Sequence, residues 1–141
     1  MTEELISGAH IKYQAVYHMQ WVTKYRYKVF RKEKYKYDYE NILYLLAKRY
    51  GLKLLDVAVM ADHIHVVASF SSSFSVSKVF HILKGASSRE FFLLHPEFRL
   101  RYPRGHLFSS GKFFRTVSDV DLKTIRKYVQ DQILQKNLLD L

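Results

Sequence analysis

Apolar and polar side chains alternate along the first part of the chain, between His10 and Thr23. The apolar positions of this alternation are Ile11, Tyr13, Ala15, Tyr17, Met19 and Trp21. Because successive side chains of a strand point to opposite faces of a sheet, the alternation predicts a first strand that is buried on one side only.

Two further apolar-rich runs, Lys53–Met60 and His63–Phe70, are separated only by Ala61 and Asp62. So short a connection between two strand-like runs predicts an antiparallel hairpin. A fourth strand is predicted over Leu107–Val117, with an interruption at Gly111.

Helical spacing of apolar residues predicts three helices, each with a plausible start or stop signal. The first begins at Asp38 or Tyr39 and ends at Tyr50 before Gly51. The second runs from about Val76 to Leu94, with Ser75 or Ser77 as its cap. The third covers Val120–Leu139 after Ser118 or Asp119.

The order strand, helix, strand, strand, helix, strand is the split β-α-β pattern of ferredoxin-like domains. We therefore expect an α+β fold, an antiparallel sheet with helices on one face, plus an extra C-terminal helix. A length of 141 residues indicates one domain over 1–141, with the sheet and its helices in 10–117 and the added helix in 119–140.

Charge narrows the partners that such a domain would bind. The chain has 23 Lys and Arg residues against 13 Asp and Glu, a net charge of +10. This excess favours a polyanion, most commonly nucleic acid, although it would also serve solubility alone. The sequence contains no apolar run long enough for a membrane span and no amphipathic helix with a basic face at its start. No membrane partner is therefore expected.

Half of that excess lies in Lys24–Tyr39, where seven basic and two acidic residues are interleaved with six aromatic ones. Cations that hold phosphates beside rings that stack bases are the combination used to bind single-stranded nucleic acid. A solvated loop whose tyrosines cover the core edge explains the same pattern equally well.

His63 and His65 are two residues apart on a predicted strand, so both imidazoles lie on one face of it. Such a pair is half of a metal site, or two hydrogen-bonded surface histidines. The chain has no cysteine, which excludes thiolate metal sites and disulfides and suits a reducing cytoplasm.

The predicted C-terminal helix carries Tyr128 and Gln132 four residues apart, on one side of the helix and beside its apolar face. A tyrosine in that position usually packs against the core. It is also a potential nucleophile.

Four blocks together resemble the single-tyrosine HUH transposases of the insertion-sequence 200/605 group. They are Tyr17-His18-Met19-Gln20-Trp21-Val22-Thr23-Lys24-Tyr25-Arg26, Asp62-His63-Ile64-His65-Val66-Val67, Leu83-Lys84-Gly85-Ala86-Ser87-Ser88-Arg89 and Thr124-Ile125-Arg126-Lys127-Tyr128-Val129-Gln130-Asp131-Gln132. The resemblance departs from the family pattern at Ala86 and across Phe108–Lys112.

The resemblance implies that His63, His65 and Gln132 bind a divalent metal, Mg²⁺ or Mn²⁺, and that Tyr128 is the nucleophile. Asp131 is a less favoured alternative ligand. The implied enzyme is a DNA transposase that cleaves and rejoins single-stranded, hairpin-bearing transposon ends through a 5′-phosphotyrosine. It also implies a homodimer whose active sites are shared between subunits, in the cytoplasm of a prokaryote and associated with the nucleoid.

Five basic residues are the predicted DNA-binding contacts: Lys24, Arg26, Lys84, Arg89 and Arg115. Two alternative functions stay open. One is a domesticated tyrosine nuclease that acts on repeated extragenic hairpins, and the other is a non-catalytic module that binds single-stranded nucleic acid.

Overall fold

A computed structural model describes residues 15–117 of the chain, and residues 1–14 and 118–141 lie outside the described part. The strands are β1 (Ala15–Val22), β2 (Lys53–Val59), β3 (His63–Phe70) and β4 (Phe113–Thr116). The helices are α1 (Glu33–Tyr50), α2 (Val76–Phe80) and α3 (Ser87–Leu94), with a π-helical segment, His81–Ala86, between the last two.

The four strands form one antiparallel sheet in the order β2-β3-β1-β4. This is the strand order of a ferredoxin-like domain, so the predicted α+β fold is confirmed. The predicted helix over 119–140, with Tyr128 and Gln132, lies outside the described residues.

One face of the sheet supports the hydrophobic core. Met19 and Trp21 of β1 pair with Val66 and Ile64 of β3, and all four side chains are fully buried. The helices pack on this face through a largely apolar set that includes Ile42, Leu43, Leu46, Val79, Phe80, Leu83 and Phe91. The opposite face carries His63 and His65 together with a small apolar cluster, in which Val16 and Val67 are buried and pack against Leu55 and Val117.

Tyr39 joins the helical layer to the sheet through a buried polar network. Its hydroxyl accepts a hydrogen bond from Trp21 Nε1 (3.2 Å) and lies 2.7 Å from Ser87 Oγ. Ser87 Oγ in turn donates to the backbone carbonyl of Lys84 (3.1 Å). Buried polar groups need such partners, so this network fixes β1, α1 and α3 relative to one another.

The hairpin, the end of α1 and the start of α2 follow the predictions. The turn between β2 and β3 closes with a bond from the Met60 amide to the His63 carbonyl (2.8 Å). Gly51 ends α1 in the left-handed conformation (φ 72°), and the Ser75 side chain caps α2 by accepting from the Lys78 amide.

The start of α1 was predicted wrongly, because the helix begins at Glu33 rather than at Asp38 or Tyr39. No side chain caps this end, so the sequence offers no capping signal there. Tertiary contacts stabilise the added turn instead: the Tyr35 ring lies 4.9 Å from the rings of His95 and Phe98, and His95 Nε2 donates to Asp38 (2.7 Å).

The second predicted helix, Val76–Leu94, is helical throughout but changes to π-helical geometry at His81–Ala86. A 3₁₀ helix, Pro96–Leu100, follows α3. Within residues 15–117, no helix has the length and apolar character that a membrane crossing requires.

Candidate metal centre and nucleic-acid surface

His63 and His65 lie on the face of the sheet opposite the helices, because their β3 neighbour Ile64 points into the core. Their ring centroids are 5.0 Å apart, and both residues are partly exposed. The structure therefore presents two imidazoles side by side at the start of a central strand.

Asp62 holds the ring of His63. The Nδ1–H group of His63 donates to Asp62 Oδ1 (2.8 Å), and Arg26 Nε donates to Asp62 Oδ2 (3.1 Å). The hydrogen bond from His63, followed by the contact with Arg26, lowers the pKa of Asp62 below its usual value. A carboxylate that accepts from Nδ1 fixes the tautomer in which Nε2 can coordinate a metal.

His18 holds the ring of His65, a role that the sequence does not predict. His18 Nε2 lies 3.1 Å from His65 Nδ1, and the two rings are stacked with their centroids 5.3 Å apart. Burial, together with the nearby rings of His63 and His18, lowers the pKa of His65. Burial and the positive charge of Arg115 lower the pKa of His18. Both imidazoles are therefore favoured in the neutral form, which is the form that binds metals.

These contacts fit a divalent metal. His63 donates through Nδ1, and His65 does so in the tautomer in which His18 Nε2 accepts, so Nε2 is the nitrogen through which each would coordinate. Two imidazoles do not complete a site, and residues 15–117 contain no cluster of three His, Cys, Asp or Glu residues that could hold an ion. Gln132 and Asp131, the predicted further ligands, lie outside the described residues, as does the predicted nucleophile Tyr128.

The structure brings together Lys24 and Lys84, two of the five residues predicted to contact DNA. Both line an open cavity of about 510 Å³ beside His106 and Phe108. Lys84 Nζ donates to the Gly111 carbonyl (3.1 Å), and burial and the charge of Lys112 lower its pKa. A cation in a partly dehydrated, positively charged pocket is suited to an anionic group.

The other three predicted contacts are dispersed. Arg115 of β4 lies opposite His18 in the sheet register, on the histidine face. Arg26 is ion-paired with Asp62 next to His63, and Arg89 is exposed on α3.

Comparison with known proteins identifies the class. The profile of the family described as "Transposase IS200 like" matches residues 11–132, and the chain belongs to that family of DNA transposases. The chain is 31% identical over 129 residues to the ISDra2 transposase TnpA of Deinococcus radiodurans, covering 92% of this chain and 91% of that one. It is 28% identical over 127 residues to the transposase for insertion sequence element IS200 of Salmonella typhimurium, covering 90% of this chain and 82% of that one.

Solved structures agree with the fold. A crystal structure of a candidate transposase from Deinococcus radiodurans superposes with a TM-score of 0.69 at 30% identity, over 85% of this chain and 92% of that one. A REP-associated tyrosine transposase bound to a REP hairpin superposes with a TM-score of 0.52 at 9% identity, over 86% of this chain and 68% of that one, a likeness of fold alone.

Proposed function

We propose that this transposase cleaves and rejoins single-stranded DNA through Tyr128, with a divalent metal held by His63, His65 and Gln132. The observation that carries the proposal is the pair of imidazoles of His63 and His65, each held at Nδ1 by a neighbouring side chain. A structural histidine pair has no need of two dedicated partners that both leave Nε2 for an ion.

The chemistry assigns one role to each group. The hydroxyl oxygen of Tyr128 forms a bond to the phosphorus and loses its proton, while the bond from phosphorus to the 3′ oxygen breaks and that oxygen takes up a proton. The products are a 5′-phosphotyrosine and a free 3′-hydroxyl, which can attack the ester in the reverse sense to rejoin strands. A bound Mg²⁺ or Mn²⁺ would supply Lewis-acid polarisation of the phosphate, because a tyrosine hydroxyl is a weak nucleophile at neutral pH.

Two neutral imidazoles and a neutral carboxamide would leave the full charge of the ion available to the phosphate. The mixed nitrogen and oxygen donors suit Mn²⁺ and Mg²⁺, with water and phosphate oxygens as remaining ligands.

The proposed substrate is single-stranded DNA with a hairpin near each transposon end. Support comes from the net charge of +10 and from the fold shared with a protein whose structure contains a REP hairpin. We further propose a homodimer in which the tyrosine segment of one subunit serves the histidine pair of its partner.

The test is covalent capture of the intermediate. Wild-type protein, Mn²⁺ and a labelled single strand from a transposon end should give a protein–DNA adduct that survives denaturation. Tyr128→Phe and His63→Ala should give none, and EDTA should abolish the reaction. An adduct formed by Tyr128→Phe would refute the assigned nucleophile, and metal-independent strand binding without any adduct would favour the non-catalytic module.

A further inference from the structure

The turn after β1 holds two non-glycine residues in the left-handed conformation, Tyr25 (φ 63°) and Arg26 (φ 54°). Residues other than glycine rarely adopt this backbone conformation, and each one that does lowers the stability of the fold by roughly 1 kcal/mol or more. Surrounding contacts enforce it: Tyr102 Oη donates to the Lys24 carbonyl (3.0 Å), Thr23 Oγ1 to the Tyr27 carbonyl (2.7 Å), and the Lys24 amide to the Leu107 carbonyl (2.8 Å). Backbone strain that several hydrogen bonds maintain points to a function of the turn.

The structure also separates the tyrosines of the basic-aromatic segment by exposure. Tyr39 is fully buried, Tyr27 and Tyr35 pack against the core, and only Tyr25 and Tyr37 are largely exposed, each at 64%. Tyr37 lies on the outer side of α1. Tyr25 instead belongs to a ring cluster, 5.3 Å from Tyr27 and 6.3 Å from Tyr102, with its plane within 6° of the Tyr102 plane.

Cations surround this ring cluster. Lys24 Nζ lies 5.5 Å from the centre of the Tyr25 ring, and the Arg101 guanidinium lies 4.3 Å from that of Tyr27. The cleft beside Tyr25 is lined by Lys24, Tyr25, Tyr102, Pro103, Arg104 and His106, so no described carboxylate faces it. On the far side of Tyr27, a groove of about 460 Å³ includes Arg26, Lys28, Arg31, Lys32 and Arg101 in its walls. So basic a surface is unfavourable for an apolar protein partner, whereas it attracts a polyanion whose bases can stack on the rings.

Hydrogen bonds join the turn to the residue before β3, the strand that carries His63 and His65. The Thr23 amide donates to the Asp62 carbonyl (2.9 Å), and Arg26 is ion-paired with the Asp62 side chain, which holds His63. A nucleotide bound on this turn is therefore anchored to the segment that carries the metal ligands.

We propose that Tyr25 is a stacking platform for an unpaired DNA base, with Lys24 and Arg101 holding the flanking phosphates. The left-handed backbone turns the ring outward on a support of Tyr27 and Tyr102, which explains why the strain is retained. The identity of the ligand as DNA rests on the proposed function, and the platform adds a contact that is specific to single strands. A paired base keeps its faces stacked within the duplex and cannot use the platform.

The experiment measures binding apart from catalysis, with the full chain in EDTA. The probes are a labelled oligothymidylate, an abasic strand of the same length and charge, and a duplex of that length. Tyr25→Ala is compared with Tyr25→Phe, which keeps a stacking ring, and with Tyr37→Ala, which removes an equally exposed tyrosine. Thermal unfolding of each variant checks that the fold is intact.

Loss of one base–ring stack should weaken oligothymidylate binding by Tyr25→Ala about 5- to 100-fold. Tyr25→Phe and Tyr37→Ala should stay within about twofold of wild type, and the wild-type preference for oligothymidylate over the abasic strand should vanish in Tyr25→Ala. The proposal is overturned if Tyr25→Ala binds like Tyr37→Ala, if the preference survives, or if duplex binding falls equally. Because no cleavage is measured, a failed platform leaves the adduct test of Tyr128 untouched, and a failed adduct test leaves the platform standing.

Discussion

Replacing Asp62 by alanine tests whether the carboxylate positions His63 for a metal. The hydrogen bond from His63 Nδ1 to Asp62 Oδ1 is short, at 2.8 Å, and links partly buried groups. A hydrogen bond to a charged group contributes about 1.5–3 kcal/mol. Loss of a carboxylate behind a metal-bound histidine lowers metal affinity about 10- to 100-fold, which is the same range of free energy. We therefore expect Asp62→Ala to bind Mn²⁺ at least tenfold more weakly than wild type.

The measurement is a titration of the DNA-free chain with Mn²⁺, followed through the electron paramagnetic resonance signal of the free ion. Asp62→Ala also removes the partner of Arg26, so Arg26→Ala is the matched control. That ion pair is exposed on the arginine side, and such pairs contribute no more than about 1 kcal/mol. Arg26→Ala should therefore bind Mn²⁺ almost as wild type does. Equal weakening by Arg26→Ala, or wild-type affinity in Asp62→Ala, would refute the positioning of His63 by this carboxylate.

Three further predictions concern stability. Tyr39→Phe breaks the buried bonds to Trp21 and Ser87 and should lower the free energy of unfolding by about 2–3 kcal/mol in urea, whereas Tyr37→Phe, at an exposed site, should leave it unchanged. The folded chain lowers the pKa values of His18 and His65 from 6.5, so these histidines bind protons more readily in the unfolded chain. In EDTA, the free energy of unfolding should therefore fall as the pH drops below about 6.5. A rise would contradict the assigned shifts. Gly51→Ala meets no atom within 4 Å of its new Cβ but must keep φ 72°, so calorimetry should show a loss of about 1 kcal/mol, and Gly51→Asn a smaller loss.

The parts of the fold that the sequence predicted well are those that local periodicity determines. Alternation along β1 separates Met19 and Trp21 from Gln20, and the structure buries the first two completely. The same rule of period two placed His63 and His65 on a common face. Gly51 and Ser75 were identifiable because a left-handed residue and a side-chain cap each have a strong residue preference.

The features that the sequence did not predict depend on how the strands pair in the folded chain. His18 could be assigned to the polar side of β1, but alternation does not reveal which β3 residue lies beside it. Pairing of His18 with Val67 and of Gln20 with His65 makes the two histidines diagonal neighbours, and long side chains reach one another across that diagonal. The sequence does not reveal the role of Asp62 for the same reason, since its contact with His63 forms only when the hairpin is closed.

The same limit applies to the turn at Tyr25. No residue preference predicts a left-handed tyrosine followed by a left-handed arginine, because the backbone there is imposed by Tyr102 and Leu107 from the distant segment 102–107. From the sequence alone, the six aromatic residues of 24–39 were equivalent. In the folded chain, exposure separates Tyr25 and Tyr37 from the other four, and the ring cluster with Tyr27 and Tyr102 distinguishes Tyr25 from Tyr37.

Arg26 can make its predicted contact with DNA while it keeps its observed contact with Asp62. A guanidinium has five N–H donors, and the ion pair with Asp62 engages Nε, so the terminal nitrogens of the largely exposed side chain can still donate to a phosphate. Asp62 likewise uses one oxygen for Arg26 and the other for His63. A phosphate bound to Arg26 would therefore add to the network without breaking it. The strained turn, the carboxylate and the first predicted metal ligand then form one connected network at the start of β3.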